Sequence, residues 1–98
     1  MALHHVVMWK LHDGDNKAAQ VAEALRLLRS CAAIVPGILR FDAAAAQPGL
    51  ESTYDLVLNS SFSDRAALEA YQAHPEHVAI KPFMKSVVAA RQCMDYTD

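Results

Sequence analysis

The side chains best suited to chemistry are histidines and one tyrosine. Two of the five histidines fall in the segment Tyr71-Gln72-Ala73-His74-Pro75-Glu76-His77. An imidazole titrates near neutral pH. His77 can therefore take a proton from a carbon beside a carbonyl, or hold an enolate oxygen once charged. Tyr71 can hydrogen-bond that imidazole or a substrate oxygen. Structural roles compete with both: His77 can cap a helix or bond a backbone carbonyl, and Tyr71 can fill a core. His4 and His5 are neighbours on a strand candidate, so they point to opposite faces and cannot chelate together. His5 shares its face with Val7 and Trp9. His74, Glu76 and His77 offer nitrogen and oxygen ligands, but His-x-x-His across a proline with no matching second pair is a weak metal pattern. No metal is expected. Cys31 and Cys93 read as small core residues, with no neighbour that would lower a thiol pKa.

These groups need elements to position them. Residues 3–11, LHHVVMWKL, alternate as a strand with both faces largely apolar, which predicts cover on both sides. The turn cluster His12-Asp13-Gly14-Asp15-Asn16 follows, with Asp15 or Asn16 as cap. A helix is expected over 17–34, its stripe running Val21, Ala24, Leu25, Leu28, Cys31, Ala32, Val35. Pro36-Gly37 ends it. Strands are expected at 38–45 and 53–61. Ser63 or Asp64 caps a helix over 65–73 with Ala67, Leu68 and Tyr71 inward. Pro75 suits the first turn of a new short helix, and Pro82 should break or kink it. A last strand spans 87–96. The order β-α-β-β-α-β is the split βαβ pattern of an α+β, ferredoxin-like protomer with a four-stranded antiparallel sheet. One sheet face packs on the helices. The other would carry Val6, Met8 and Val57, which predicts a homodimer joined through sheet faces. Val7, Trp9, Leu25, Leu28, Leu58, Phe62, Val78 and Phe83 are candidates to line a cavity between sheet and helices, a wall for a small apolar or aromatic ligand.

Composition narrows the classes. The 98 residues suit one domain, 1–98. Lys and Arg number 9 against 11 Asp and Glu, so the basic footprint of a nucleic-acid binder is missing. No run reaches the roughly 18 apolar residues of a membrane span. The opening MALHHVVMWK does not read as a signal peptide. With two cysteines 62 positions apart, a reducing, cytoplasmic setting is expected. Apolar residues are plentiful, but 18 of them are Ala, so core volume is modest and self-association would help.

Several segments together resemble one family. His4-His5-Val6-Val7-Met8-Trp9-Lys10-Leu11 is similar to the HHVVLFKF opening of the stress-responsive dimeric α/β-barrel proteins. Val35-Pro36-Gly37-Ile38 resembles their IPGI, Tyr54-Asp55-Leu56-Val57-Leu58 their third strand, and Tyr71 to His77 their Y-x-x-H-P-x-H segment. The resemblance implies a protomer whose sheet joins a twin across a two-fold axis to form a dimeric α/β barrel. His4 would then lie at the dimer interface with Val6, Met8 and Val57. A plant polyketide cyclase of this family closes an aromatic ring by aldol chemistry without metal or organic cofactor. By that likeness His77 is the base, Tyr71 its support, and His5 lines the same pocket, with no cofactor. The cyclase also has a Tyr on its first helix, where this chain has Leu28 or Leu27. The expected function is binding of a small apolar or aromatic ligand. The alternatives are a cofactor-independent cyclase, isomerase or lyase on a β-keto or aromatic compound, and a cofactor-free monooxygenase of the same fold. A haem-binding relative would use His77 as axial ligand.

Overall fold

The computed structural model describes residues 1–98. Strand β1, Leu3–Leu11, shows the two-residue period directly: Leu3, His5, Val7, Trp9 and Leu11 are buried, while Met8 and Lys10 are exposed. Helix α1 is Lys17–Arg29, followed by strands β2, Ile38–Ala45, and β3, Leu56–Phe62. Helices α2, Arg65–Ala73, and α3, Pro75–Val87, lead straight into β4, Val88–Thr97. The sheet order is β2-β3-β1-β4, with every pair antiparallel. This is the ferredoxin-like arrangement, with α2 and α3 together in the place of the second helix.

The helices cover one side of the sheet. Val7, Leu56, Leu58 and Phe62 are almost fully buried there against Ala24 and Leu28 of α1 and Tyr71 of α2. Each such large side chain stabilises the fold by about 1.5–3 kcal/mol through burial. The other side carries Val6, Met8, Val57, Met94 and Tyr96, which the register sets side by side. Met8 is 39 % exposed, Met94 67 % and Tyr96 46 %.

Three elements and one cap depart from the sequence reading. Helix α1 stops at Arg29, not 34, because the next turn tightens: Cys31 and Ala32 donate three residues back, to Leu28 and Arg29, and the Ser30 hydroxyl donates to the Leu27 carbonyl. Asn16 sits at the start of α1 but makes no side-chain cap bond. Strand β3 begins at Leu56, not 53. The Asp55 carboxylate there accepts from the Leu11 N–H at 2.8 Å, so a side chain takes the next ladder position. Helix α3 runs through Pro82 instead of breaking. Pro82 removes only the bond to the Val78 carbonyl, and both residues lie on the exposed face, where water can serve that oxygen. Asp64 caps α2 as its residue type suggests, and His74 caps α3, a role the sequence reading did not give it. Asp64 accepts from the Ala67 N–H at 2.8 Å, and His74 Nδ1 accepts from the Glu76 N–H at 3.1 Å. Gly37 holds φ +90°, and a Cβ there would stand 2.7 Å from Ser63 Oγ and 2.9 Å from Ala67 Cβ. Glycine thus lets the β2 entry press against the start of α2.

Candidate functional site

A cavity of about 480 Å³ opens between the helix-covered side of the sheet and the three helices. His5, Val7 and Trp9 of β1, Leu58 of β3 and Leu28 of α1 form its floor and one wall. Tyr71 and Gln72 come from α2, and Val88 and Arg91 from β4. Helix α3 supplies His77, Ile80, Lys81, Met84 and Lys85, a single stripe at three- and four-residue steps. His77, Tyr71 and His5 therefore meet at one solvent-reachable space.

Their bonding differs in a useful way. His5 is 5 % exposed, and its Nδ1 lies 2.5 Å from Asp95 Oδ1 of β4. A carboxylate can only accept, so Nδ1 carries the hydrogen and Nε2 of a neutral ring is left as an acceptor. His77 repeats the pattern: its Nδ1 is 3.1 Å from the Gln72 carbonyl oxygen. Burial holds the His77 imidazole below its ordinary range. The Gln72 carbonyl opposes that, and the charges of Lys81, His5 and Arg91 reinforce it. At neutral pH His77 is a neutral base. The Tyr71 ring leans on the His77 ring, centroids 4.6 Å apart, and also contacts Phe62 and Phe41. Tyr71 is 1 % exposed, yet its hydroxyl has no hydrogen-bond partner in the protein. Burial pushes the phenol well above its ordinary value, so it remains an O–H donor. Tyr71 does not bond to the imidazole; the two rings pack instead.

Other candidates fall elsewhere. Leu25 and Phe83 are half-buried against the core and Phe62 is fully buried within it, and none of the three is among the residues that line the cavity. Val78 is 46 % exposed. On α3, Val78 and Phe83 are turned away from the stripe that begins at His77, which explains both. Cys31 is buried, with its thiol pushed up by that burial, whereas Cys93 is exposed and not a core residue. His4 faces the open side. Its Nδ1 is 2.7 Å from Ser61 Oγ, its Nε2 3.1 Å from Asp98 Oδ2, and its ring stacks near Tyr96. His74 is committed to its cap, and no three His, Cys, Asp or Glu side chains gather as a metal-binding set. The sequence reading missed Gln72, Ile80, Lys81, Met84, Lys85, Val88, Arg91 and Asp95. Helical stepping from His77 would have found Ile80, Lys81, Met84 and Lys85 had the helix been carried through Pro82.

The model of the stress-responsive A/B barrel domain matches residues 3–98. The chain belongs to that family. Solved structures agree on the fold of this stress-responsive barrel domain. A dimeric protein of unknown function from Bacteroides fragilis, with a ferredoxin-like fold, superposes with a TM-score of 0.84 at 25% identity, over 99% of this chain and 96% of that one. A dimeric ferredoxin-like protein of unknown function from Thermobifida fusca gives 0.87 at 20% identity, over 100% and 92%. SnoaB, a cofactor-independent oxygenase from Streptomyces nogalater, gives 0.76 at 13% identity, over 99% and 92%. No protein with a curated description matches the chain. No helix is long and apolar enough to cross a membrane.

Proposed function

We propose that the protein works as a homodimer, open sheet face against open sheet face, and that each copy binds a small apolar or aromatic molecule in its cavity. The row Val6, Met8, Val57, Met94 and Tyr96 is the apolar surface such a seam needs. The dimeric state of the Bacteroides and Thermobifida proteins supports that pairing. The chain folds as one domain over 1–98. Free Cys31 and exposed Cys93 suit a reducing compartment such as the cytoplasm.

The observation that carries the binding reading is the cavity itself, about 480 Å³ with a mostly apolar lining into which His5, His77 and Tyr71 are set. A buried polar group without a partner costs about 1–3 kcal/mol, and the Tyr71 hydroxyl, closed off from solvent in the unliganded fold, would be relieved of that cost by a ligand oxygen brought up to it. Trp9, the single tryptophan, lines the same space and reports on it. A panel of naphthols and acetylnaphthalenes titrated against Trp9 emission tests the reading. Saturable binding should appear and weaken about tenfold in Tyr71→Phe, the loss of one good hydrogen bond. Failure of every member to bind would refute it; equal affinity in the variant would take the Tyr71 hydroxyl out of the contact.

A second reading is favoured by the tied Nδ1 atoms of His5 and His77. Each ring keeps Nε2 without a protein partner, and burial keeps His77 neutral. In this reading His77 removes a proton from a carbon beside a carbonyl while the Tyr71 O–H holds the developing enolate oxygen. No metal or cofactor takes part. The proton moves from carbon to Nε2 and later returns, or is passed on as a new carbon–carbon bond closes. Proton–deuterium exchange of a bound aryl β-diketone, lost in His77→Ala and retained in His4→Ala, is the expected signature. Exchange no faster than in buffer removes this reading and leaves the binding protein.

A further inference from the structure

The charge around the cavity identifies a ligand class more narrowly than its apolar wall does. The whole chain has a formal charge of −2. The cavity lining is the reverse: Lys81, Lys85 and Arg91 contribute to it, and no Asp or Glu does. None of the three cations has a carboxylate within ion-pair distance, whereas Lys17 is paired with two and Arg26 and Arg40 with one each. The Arg91 guanidinium has one weak contact, donating to Cys93 Sγ at 3.4 Å. Asp95, which shares β4 with Arg91, is taken up by His5. Lys81 and Lys85 stand four residues apart on α3, and Arg91 comes from β4, so two elements converge their positive charge on one opening. Behind them the lining turns apolar, with Val7, Leu28, Leu58, Ile80 and Tyr71.

We infer that the cavity takes an amphiphilic anion: an apolar, aromatic-sized body that lies against the sheet, with a carboxylate or comparable acidic group held at the mouth by Lys81, Lys85 and Arg91. This inference rests on the cavity being a ligand site and adds the charge of what enters it. Three like charges beside an apolar wall are unfavourable to one another unless an anion joins them. A guanidinium and two ammonium groups around one opening also suit a carboxylate, whose two oxygens accept from such donors. A neutral molecule of the same shape would leave that cluster uncompensated.

Two probes with one skeleton separate the charge from the body. 8-Anilinonaphthalene-1-sulfonate carries an acidic group; N-phenyl-1-naphthylamine is the same framework without it. Binding is measured by calorimetry on the full chain, and its place is checked by the NMR shift of the Trp9 indole N–H. The sulfonate should bind at least about tenfold more tightly at low salt, and the gap should shrink as salt screens it. In a Lys81→Gln, Lys85→Gln, Arg91→Gln variant the sulfonate should fall to the affinity of the neutral probe, with the neutral probe unchanged. These positions are solvent-reachable, so the variant should unfold at nearly the parent temperature; Lys81→Gln alone, with a partial loss, serves if it does not. Equal affinity of the two probes in the parent overturns the inference and leaves the ligand cavity standing. Binding of the sulfonate without a shift at Trp9 also overturns it, because the anion is then elsewhere. If neither probe binds, the cavity reading falls together with it.

Discussion

His4 and His5 are adjacent in the chain and live in different environments. His4, on the open side of the sheet, has both ring nitrogens engaged, by Ser61 and Asp98, and stacks near Tyr96. His5, on the helix-covered side, has one nitrogen held by Asp95 and the other without a protein partner, on the wall of a cavity. The contrast extends to the whole sheet. On the open side His4 is satisfied and apolar side chains are left bare; on the covered side the apolar side chains are buried and the Tyr71 hydroxyl is left unmet. The first pattern suits a second copy of the chain and the second suits a small molecule. A strand whose side chains alternate is what allows one nine-residue segment to serve both.

Substitution on the open side should act through assembly. Val57→Asp places a carboxylate at the centre of the proposed seam, where desolvation is unpaid by any partner. It should weaken dimerisation by about a hundredfold or more without unfolding the protomer. Sedimentation at micromolar concentration would read this as a shift to 10.7 kDa. A variant that still sediments as a dimer would show that this side is not the seam.

The covered side should respond through the fold. Leu58→Ala, next to Val57 in sequence but facing the helices, should cost about 2–5 kcal/mol at any protein concentration. Val57→Ala should lower stability by an amount that depends on protein concentration, because assembly is part of it. Denaturant titrations at two concentrations separate the neighbours. If both variants were concentration-independent, the two sides would be alike and the comparison would fail.

Much of this contrast is legible in the residues. The alternation of β1, the Asp64 start of α2, the Pro75 first turn of α3, and the Val6, Met8, Val57 row follow from period and residue type. So does the pairing of His77 with Tyr71, but only once the segment is recognised as a helix–proline–helix. The bounds of α1 and β3 were not legible. They depend on the tightening at Ser30 and on a carboxylate, Asp55, whose partner Leu11 is 44 residues away. The cavity wall from α3 was hidden because Pro82 normally ends a helix, and its tolerance depends on which face meets water. Asp95 was hidden because its role exists only through the β1–β4 register.

A smaller effect concerns pH. Burial keeps His77 less basic in the fold than in the unfolded chain. The unfolded state therefore binds more protons in the window between the two values, and stability rises with pH there. It is complete above the unfolded imidazole value of about 6.5 and declines as pH falls from there through the folded value. His77→Gln should flatten that decline in chemical denaturation between pH 7 and pH 5. His4→Gln, on the other side, tests whether the open face contributes. A slope unchanged by His77→Gln would mean that the imidazole is not desolvated as the cavity geometry requires.

The most direct test is the thermal midpoint of Tyr71→Phe beside the parent, without ligand. Removing a buried hydroxyl that has no partner inside the fold relieves its desolvation, so the variant should melt at the same temperature or higher. A drop of several degrees would contradict this, since it would show that the hydroxyl is already bonded within the protein and is not reserved for a ligand.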